Sequence, residues 1–197
     1  HPNEMIIFGT RGGYLVAIDT SGNLEWKFKV NGRIVTKPAI DLEGNIYFGT
    51  LDGNFYAVNG TGKQNWKYNV NGGITSSPSI GADGTLYFGT SSGVLHAVAM
   101  DGSKKWIYKV RDWQAVKPSK QKGWIDVTPV INENGDIYLA ADNILYALDS
   151  SGNELWSFYS NDRIWVTPII TKDGNLFFGS DDGFLYSLDK AGRLNWM

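Results

Sequence analysis

The sequence predicts an all-β fold, a β-propeller made of four-stranded antiparallel blades. A tryptophan returns at intervals of 40 or 50 residues, short apolar runs alternate with turn residues, and no segment keeps the 3.6-residue period of an amphipathic helix. The 197 residues include 24 glycines, and 14% are aromatic, which suits short strands joined by tight turns. The repeated tryptophans are Trp26, Trp66, Trp106, Trp156 and Trp196.

Residues 33–70 show how one repeat divides into strands. The apolar runs at 34–40, 46–50, 55–58 and 65–70 are each four to seven residues long. Glycine, asparagine or aspartate separates them, and these residues tolerate the positive φ of hairpin turns. Four antiparallel strands in about forty residues are typical of one propeller blade.

The repeats do not divide the chain evenly into blades. The first copy begins with the strand that is second in the other repeats, and the last copy stops inside its fourth strand. This predicts four full blades plus three strands. This is one strand short of five blades, so we expect residues 1–197 to be a single incomplete propeller, part of a larger ring. The predicted blades are approximately 5–30 (partial), 33–70, 73–110, 124–159 and 163–197, with an inserted loop at 111–126.

A ten-residue motif, Ala-x-Asp-x-x-Gly-x-x-x-Trp, runs from Ala17 through Asp19 and Gly22 to Trp26 in the first copy. Its glycine and tryptophan recur in all five copies, its alanine in four and its aspartate in three. It resembles the tryptophan-docking repeat of the pyrroloquinoline-quinone-like (PQQ-like) propeller family, and the resemblance covers nearly the whole chain in five copies. The resemblance implies that Trp26, Trp66, Trp106, Trp156 and Trp196 are structural docking residues that pack between blades against small residues. It also implies a likeness to the family's non-enzymatic members of the barrel-assembly-lipoprotein type, which bind a partner protein.

Composition excludes several functional classes. A net charge of −2 argues against nucleic acid binding, which needs clustered positive charge. No apolar run approaches the roughly 20 residues of a membrane span. The absence of cysteine excludes disulfides and thiolate chemistry, and His96, the one internal histidine, occupies a third-strand packing position, so we predict no catalytic residue. The acidic turns at 142–143 and 181–182 are explained by ordinary turn chemistry, so we also predict no metal site.

The candidate binding site lies where the repeats differ from one another. The segment 111–126 replaces a short connection, and long loops on a repeat scaffold are often functional. Trp113, Trp124 and Trp165 lie outside the forty-residue register, on the face of this loop. Alignment of the copies places Trp124 and Trp165 at the channel mouth, together with two arginines and a carboxylate. Such a set suits a sugar, a quinone or an aromatic peptide side chain, although a loop that only plugs the channel or packs on a missing neighbour also explains it. The candidate ligand-binding residues are Arg33, Trp113, Trp124, Asp126, Arg163 and Trp165.

The family resemblance raises the question of a cofactor. The family's quinoprotein dehydrogenases have eight blades, a bound Ca²⁺, a catalytic aspartate and often a disulfide between adjacent cysteines. Cysteine is absent here and the Ca²⁺ ligands have no matching positions, so we expect no cofactor. PQQ and Ca²⁺ belong to the alternative interpretation.

We therefore predict a non-catalytic binding or scaffold propeller that recognises a protein or small ligand at the channel-mouth face. Two alternatives stay open: a fragment of a PQQ- and Ca²⁺-dependent quinoprotein oxidoreductase, and a carbohydrate-binding propeller. The expected partners are a protein, a glycan or a small molecule, together with further blades of the same polypeptide or self-association. The family resemblance further implies a prokaryotic, exported protein, located in the periplasm, secreted or at the cell surface.

Overall fold

The computed structural model describes residues 4–111 and 123–197, which contain nineteen β-strands. The strands form five antiparallel sheets that follow one another in chain order. Within the described ranges, no helix is long and apolar enough to cross a membrane. The first sheet contains β1 (Ile6–Gly9), β2 (Tyr14–Ile18) and β3 (Leu24–Lys29); the second β4 (Ala39–Ile40), β5 (Ile46–Gly49), β6 (Asn54–Val58) and β7 (Gln64–Asn69); the third β8 (Ser79–Ile80), β9 (Leu86–Gly89), β10 (Val94–Val98) and β11 (Lys104–Lys109); the fourth β12 (Val130–Ile131), β13 (Ile137–Ala141), β14 (Ile144–Leu148) and β15 (Glu154–Tyr159); and the fifth β16 (Ile169–Ile170), β17 (Leu176–Gly179), β18 (Leu185–Leu188) and β19 (Leu194–Trp196).

Each sheet is a meander in which every strand pairs with the next one along the chain. In the second sheet, one row of partners crosses all four strands, from Ala39 to Tyr47, Ala57 and Trp66. The register shifts after Ala57, and a shift occurs at the corresponding place in the other four sheets. Such bulges bend a strand and increase its twist, so all five sheets carry the same distortion in their last pair of strands.

The first strand of each full repeat is shorter than the sequence predicts. The apolar run 34–40 predicts a seven-residue strand, but only Ala39–Ile40 pairs with β5. The preceding residue, Pro38, has no N–H to donate to a ladder. A proline occupies the same place before β8, β12 and β16, and each of these strands has two residues.

The apolar core lies between successive sheets, in four separate clusters. Between the first and second sheets, the ring of Phe48 stacks on Tyr56 with centroids 5.2 Å apart, and Phe28 meets both rings edge-on. Leu15 and Phe48 are completely buried there. Burial of this apolar area between sheets stabilises the stack, so stability comes mainly from sheet-on-sheet contacts between neighbouring repeats.

The repeated tryptophans contact the next sheet along the chain. The indole Nε1 of Trp66 donates a hydrogen bond to the carbonyl oxygen of Met100, at 2.7 Å. The ring lies against Gly102, where an added Cβ would come within 2.9 Å of the indole. The same pair of contacts joins Trp26 to Gly60 and Gly62, Trp106 to Ser150 and Gly152, and Trp156 to Lys190 and Gly192. Trp196 is 50% exposed, and no such partner occurs for it in the described part of the chain.

The histidine of β10 is buried among aromatic rings. His96 stacks on Phe88 with centroids 5.2 Å apart, and the edge of Tyr68 faces it. Burial, with a smaller contribution from the charge of Lys104, lowers the pKa of His96 from 6.5 to about 4. The folded protein therefore holds this imidazole in its neutral form at physiological pH.

Acidification should destabilise the protein through His96. The unfolded chain binds a proton near pH 6.5 and the folded chain only near pH 4. The stabilisation is therefore fully present above pH 6.5 and is lost as the pH falls towards 4, at about 1.4 kcal/mol per pH unit. Denaturant unfolding at a series of pH values measures this slope. The control His96→Tyr introduces the residue found in three other repeats and should remove the His96 contribution to the slope. Equal slopes for the wild type and His96→Tyr would contradict this role of His96.

Candidate functional site

The turns between the second and third strands share one surface with the connections between sheets. The backbone N–H of Leu51, in such a turn, donates to the carbonyl oxygen of Arg33 in the connection before it, at 3.0 Å. Asp181 and Arg163 make the same contact at 2.8 Å in the fifth sheet. We call this surface the connection face.

Four of the predicted site residues meet on the connection face, in a cleft between the fourth and fifth sheets. Trp124 and Asp126 come from the connection that enters the fourth sheet, and Arg163 and Trp165 from the connection that enters the fifth. A fifth polar residue, Asp142, lies between them in the turn joining β13 to β14. These five residues, Trp124, Asp126, Asp142, Arg163 and Trp165, are called the connection-face cluster.

Asp142 links the two connections. Its carboxylate accepts a hydrogen bond from the backbone N–H of Gly123 at 2.8 Å and forms an ion pair with Arg163 at 3.2 Å. The side chains of Asp142 and Arg163 are only 10% and 21% exposed. A pair this buried is costly to break, because removal of one partner leaves a desolvated charge. The pair therefore fixes the position of the guanidinium.

The sequence analysis did not include Asp142 among the site residues. The turn Asp142–Asn143 is one residue shorter than the corresponding turns and lacks their glycine. Asp142 has a φ of 53°, an unusual value for a residue other than glycine. The shorter turn without glycine is the sequence signal by which this position could have been found.

Trp165 forms the exposed part of the cluster. The guanidinium of Arg163 lies over its ring, 4.9 Å from the centroid, and its indole Nε1 donates to Asp181 at 2.6 Å. The side chain is still 50% exposed. A held aromatic ring with an open face, beside charged groups, is a common arrangement in protein-binding surfaces.

Asp126 is a second partly buried acid in the cleft. Burial raises its pKa, and the neighbouring charge of Asp142 acts in the same direction. A hydrogen bond from Thr75 and the charge of Arg163 oppose this rise in pKa. With Asp181, which accepts the hydrogen bond of Trp165, the site contains three carboxylates and one guanidinium, so its net charge is negative when all four groups are ionised.

Two other predicted site residues do not join the cluster. Arg33 is exposed on the connection face of the second sheet and does not line the cleft. Trp113 lies outside the described residues. The residues on either side of 112–122 both contact the fourth sheet: Arg111 forms an ion pair with Glu154, and Gly123 bonds to Asp142.

The cleft is narrow. The space enclosed by its side chains is about 10 Å³, room for about one water molecule. A small-molecule site has roughly 300–1,000 Å³, so the described residues do not enclose PQQ. Residues 4–111 and 123–197 also contain no group of three or more acidic or histidine side chains placed to hold a metal ion. The described donor set therefore does not fit PQQ with Ca²⁺.

A larger, open groove of about 560 Å³ lies between the first and second sheets, beside β1. Arg11 and Lys37 flank it, and Phe8 and Ile34 form part of its apolar lining. A first sheet of three strands was predicted from the sequence, but a groove beside β1 was not.

Comparison with solved structures shows the same fold in proteins of different kinds. BamB from Moraxella catarrhalis matches with a TM-score of 0.79 and 20% identity, over 98% of this chain and 57% of that one. A quinohemoprotein alcohol dehydrogenase from Pseudomonas putida matches with a TM-score of 0.76 and 14% identity, over 97% of this chain and 40% of that one. The computationally designed Ika8 protein matches with a TM-score of 0.76 and 12% identity, over 94% of this chain and 55% of that one. The chain thus spans between about two fifths and three fifths of the length of these proteins.

A search of curated proteins finds no match. The family model described as the outer membrane protein assembly factor BamB matches residues 2–191, almost the whole chain. This match agrees with the repeated sheets and with the resemblance in the motif. The chain therefore belongs to the family of the outer membrane protein assembly factor BamB.

Proposed function

We propose that this chain is a non-catalytic binding propeller that holds a protein partner at the connection-face cluster. The observation that supports this most strongly is Trp165, an aromatic ring held by Arg163 and Asp181 and half exposed to solvent. The narrow cleft favours a partner that covers the surface over a small molecule that enters it.

The charge of the site indicates the chemistry of the partner. The site has three carboxylates and one guanidinium, which is already paired with Asp142, so a lysine or arginine of the partner would be attracted to Asp181, the exposed carboxylate. The same partner segment would place an apolar side chain on the indole of Trp165. The family name supports a role for this complex in outer membrane protein assembly. A complex with that role would lie in the cell envelope.

Loss of Trp165 should weaken this complex. Aromatic hot-spot residues at the centre of an interface contribute about 2 kcal/mol or more, so Trp165→Ala should weaken binding by about thirtyfold or more. The measurement is recovery of a partner from the host's envelope extract on immobilised chain 1–197.

The matched control is Leu42→Ser. Leu42 is 99% exposed in the turn between β4 and β5, at the opposite end of the sheets from the connection face. Recovery should be unchanged in this variant. Equal recovery by wild type and Trp165→Ala, or equal loss in Leu42→Ser, would contradict the proposed site.

A quinoprotein oxidoreductase is the second candidate, because the fold also occurs in a quinohemoprotein alcohol dehydrogenase. This likeness, at 14% identity, concerns the fold alone. The candidate requires a quinone and Ca²⁺ on the connection face, and a direct titration tests it.

A further inference from the structure

The last strand of each sheet is an edge strand, because in the described part of the chain it pairs only with the strand before it. An edge offers backbone N–H and C=O groups to a strand of another chain, and proteins commonly protect such edges with lysine. The edges of the second and third sheets follow this rule. Lys67 lies in β7, and Lys104, Lys105 and Lys109 lie in β11, so both edges are positively charged.

The edge strand of the fourth sheet, β15, lacks this protection. Its six residues, Glu154–Tyr159, include no lysine or arginine. Two of its side chains are about half exposed, Leu155 at 52% and Tyr159 at 48%. The fourth sheet is covered on both faces, by the third and fifth sheets, so this exposure belongs to its outer edge.

Arg111 neutralises the one acidic residue of β15. The guanidinium forms an ion pair with Glu154, which also accepts a hydrogen bond from the hydroxyl of Tyr108. The same guanidinium donates to the hydroxyls of Ser157 at 2.8 Å and Tyr159 at 3.1 Å. One cation therefore fixes three side chains of the strand, and β15 carries no unpaired charge.

The sequence of β15 is complementary to itself. When two identical strands pair in antiparallel fashion, a two-fold axis lies between them, and each residue meets the residue equally far on the other side of the axis. With the axis beside Ser157, Leu155 of each copy lies opposite Tyr159 of the other. Apolar and aromatic side chains opposite each other stabilise an antiparallel pair. This register covers both half-exposed side chains in both copies.

The same register is unfavourable for the two neighbouring edges. The position of Ser157 in its sheet corresponds to Ile107 in β11 and to Lys67 in β7. An axis beside Ile107 would place Lys105 opposite Lys109, and an axis beside Lys67 would place that lysine opposite itself. Like charges directly opposite each other destabilise a strand pair. Of these three edges, only that of the fourth sheet is complementary to its own copy.

We propose that two copies of this chain form a dimer in which their β15 strands pair edge to edge in antiparallel fashion. A second copy is the occupant that β15 favours, because its exposed side chains match each other and no like charges meet. The contact is isologous, so association stops at the dimer. Six residues form few hydrogen bonds against the cost of association, so we expect the dimer to exchange with monomer. The proposal does not depend on the function of the connection-face cluster.

Cross-linking of Ser157→Cys tests the proposal, because the chain contains no cysteine of its own. The two new thiols would meet at the two-fold axis, where opposite Cβ atoms are about 4.5–5.5 Å apart, near the spacing of a disulfide. Under mild oxidation of a dilute solution, this variant should form a disulfide-linked dimer on a non-reducing gel. The matched control is Ile107→Cys, at the same position in β11. This variant should remain monomeric, although Ile107 is 52% exposed.

A second substitution shows whether strand pairing brings the thiols together. Tyr159→Lys, added to Ser157→Cys, gives this edge a lysine like those of its neighbours and should abolish the cross-link. Leu42→Lys, added to Ser157→Cys, introduces the same charge at a side chain that is 99% exposed, and should leave the cross-link unchanged. Circular dichroism checks that each variant is folded. A folded Ser157→Cys that stays monomeric, equal cross-linking of Ile107→Cys, or a cross-link that survives Tyr159→Lys would overturn the proposal.

Discussion

Trp66→Ala is expected to lower the free energy of unfolding by about 3 kcal/mol, the lower end of the range for truncation of a buried tryptophan, because the ring is partly buried. The substitution removes the ring that lies between Gly102 and the aromatic side chains of Tyr47 and Phe55. It also removes the hydrogen bond to the carbonyl oxygen of Met100. Denaturant-induced unfolding measures the loss.

Trp196→Ala is the matched control, with the same residue type at the same place in a fourth strand. Trp196 retains one ring contact, with Phe177, and no glycine turn contacts its indole in the described chain. Measured where the chain is monomeric, its truncation should cost less than about 1 kcal/mol, as for an exposed side chain. Similar losses in the two variants would show that docking on the next sheet is not what stabilises the repeats.

Gly89→Ala should be the second most damaging change, with a loss of about 1–3 kcal/mol from overpacking. The strand comes so close to the next connection that an added Cβ would overlap the Cγ2 atom of Ile125. Both groups are buried at the junction of the third and fourth sheets, where neither can move into solvent.

Gly179→Ala is the control for this steric argument. Gly179 occupies the same place in the fifth sheet, but the nearest atom to its added Cβ is Val166 Cγ2, at 3.9 Å. Its substitution should be close to neutral, because a methyl group fits at that distance. The fourth sheet naturally has Ala140 at this position, where the cleft of the connection-face cluster opens. Equal unfolding midpoints for the two alanine variants would contradict the expectation.

The repeat architecture was predictable because packing imposes it on every copy. The interval between Trp26 and Trp66 measures one sheet plus its connection, and turn glycines mark where the strands end. The first strands were predicted too long, because Pro38 lies in an apolar run and yet cannot donate to a ladder. A run of apolar residues indicates that a segment is buried. Pairing with a neighbouring strand also requires backbone N–H groups that can donate to it, and proline has none.

The candidate site was predicted only in part. Comparison of the copies pointed to Trp124, Asp126, Arg163 and Trp165, which line one cleft. It also suggested Arg33, which follows the same register but lies on a different sheet. The sequence already assigned Arg33 and Arg163 to different blades, but the repeat register does not tell which blades contribute side chains to one cleft.

A titration of the chain with PQQ, with and without Ca²⁺, followed by tryptophan fluorescence, tests most directly whether the connection face is a non-catalytic protein-binding surface. Trp124 and Trp165 lie at the cleft and would report a quinone bound there. We predict no saturable quenching after inner-filter correction, with or without Ca²⁺, because the cleft is too narrow for the cofactor. Saturable, Ca²⁺-dependent quenching that is lost in a folded Trp124→Ala variant would contradict this and assign the face to a quinoprotein oxidoreductase.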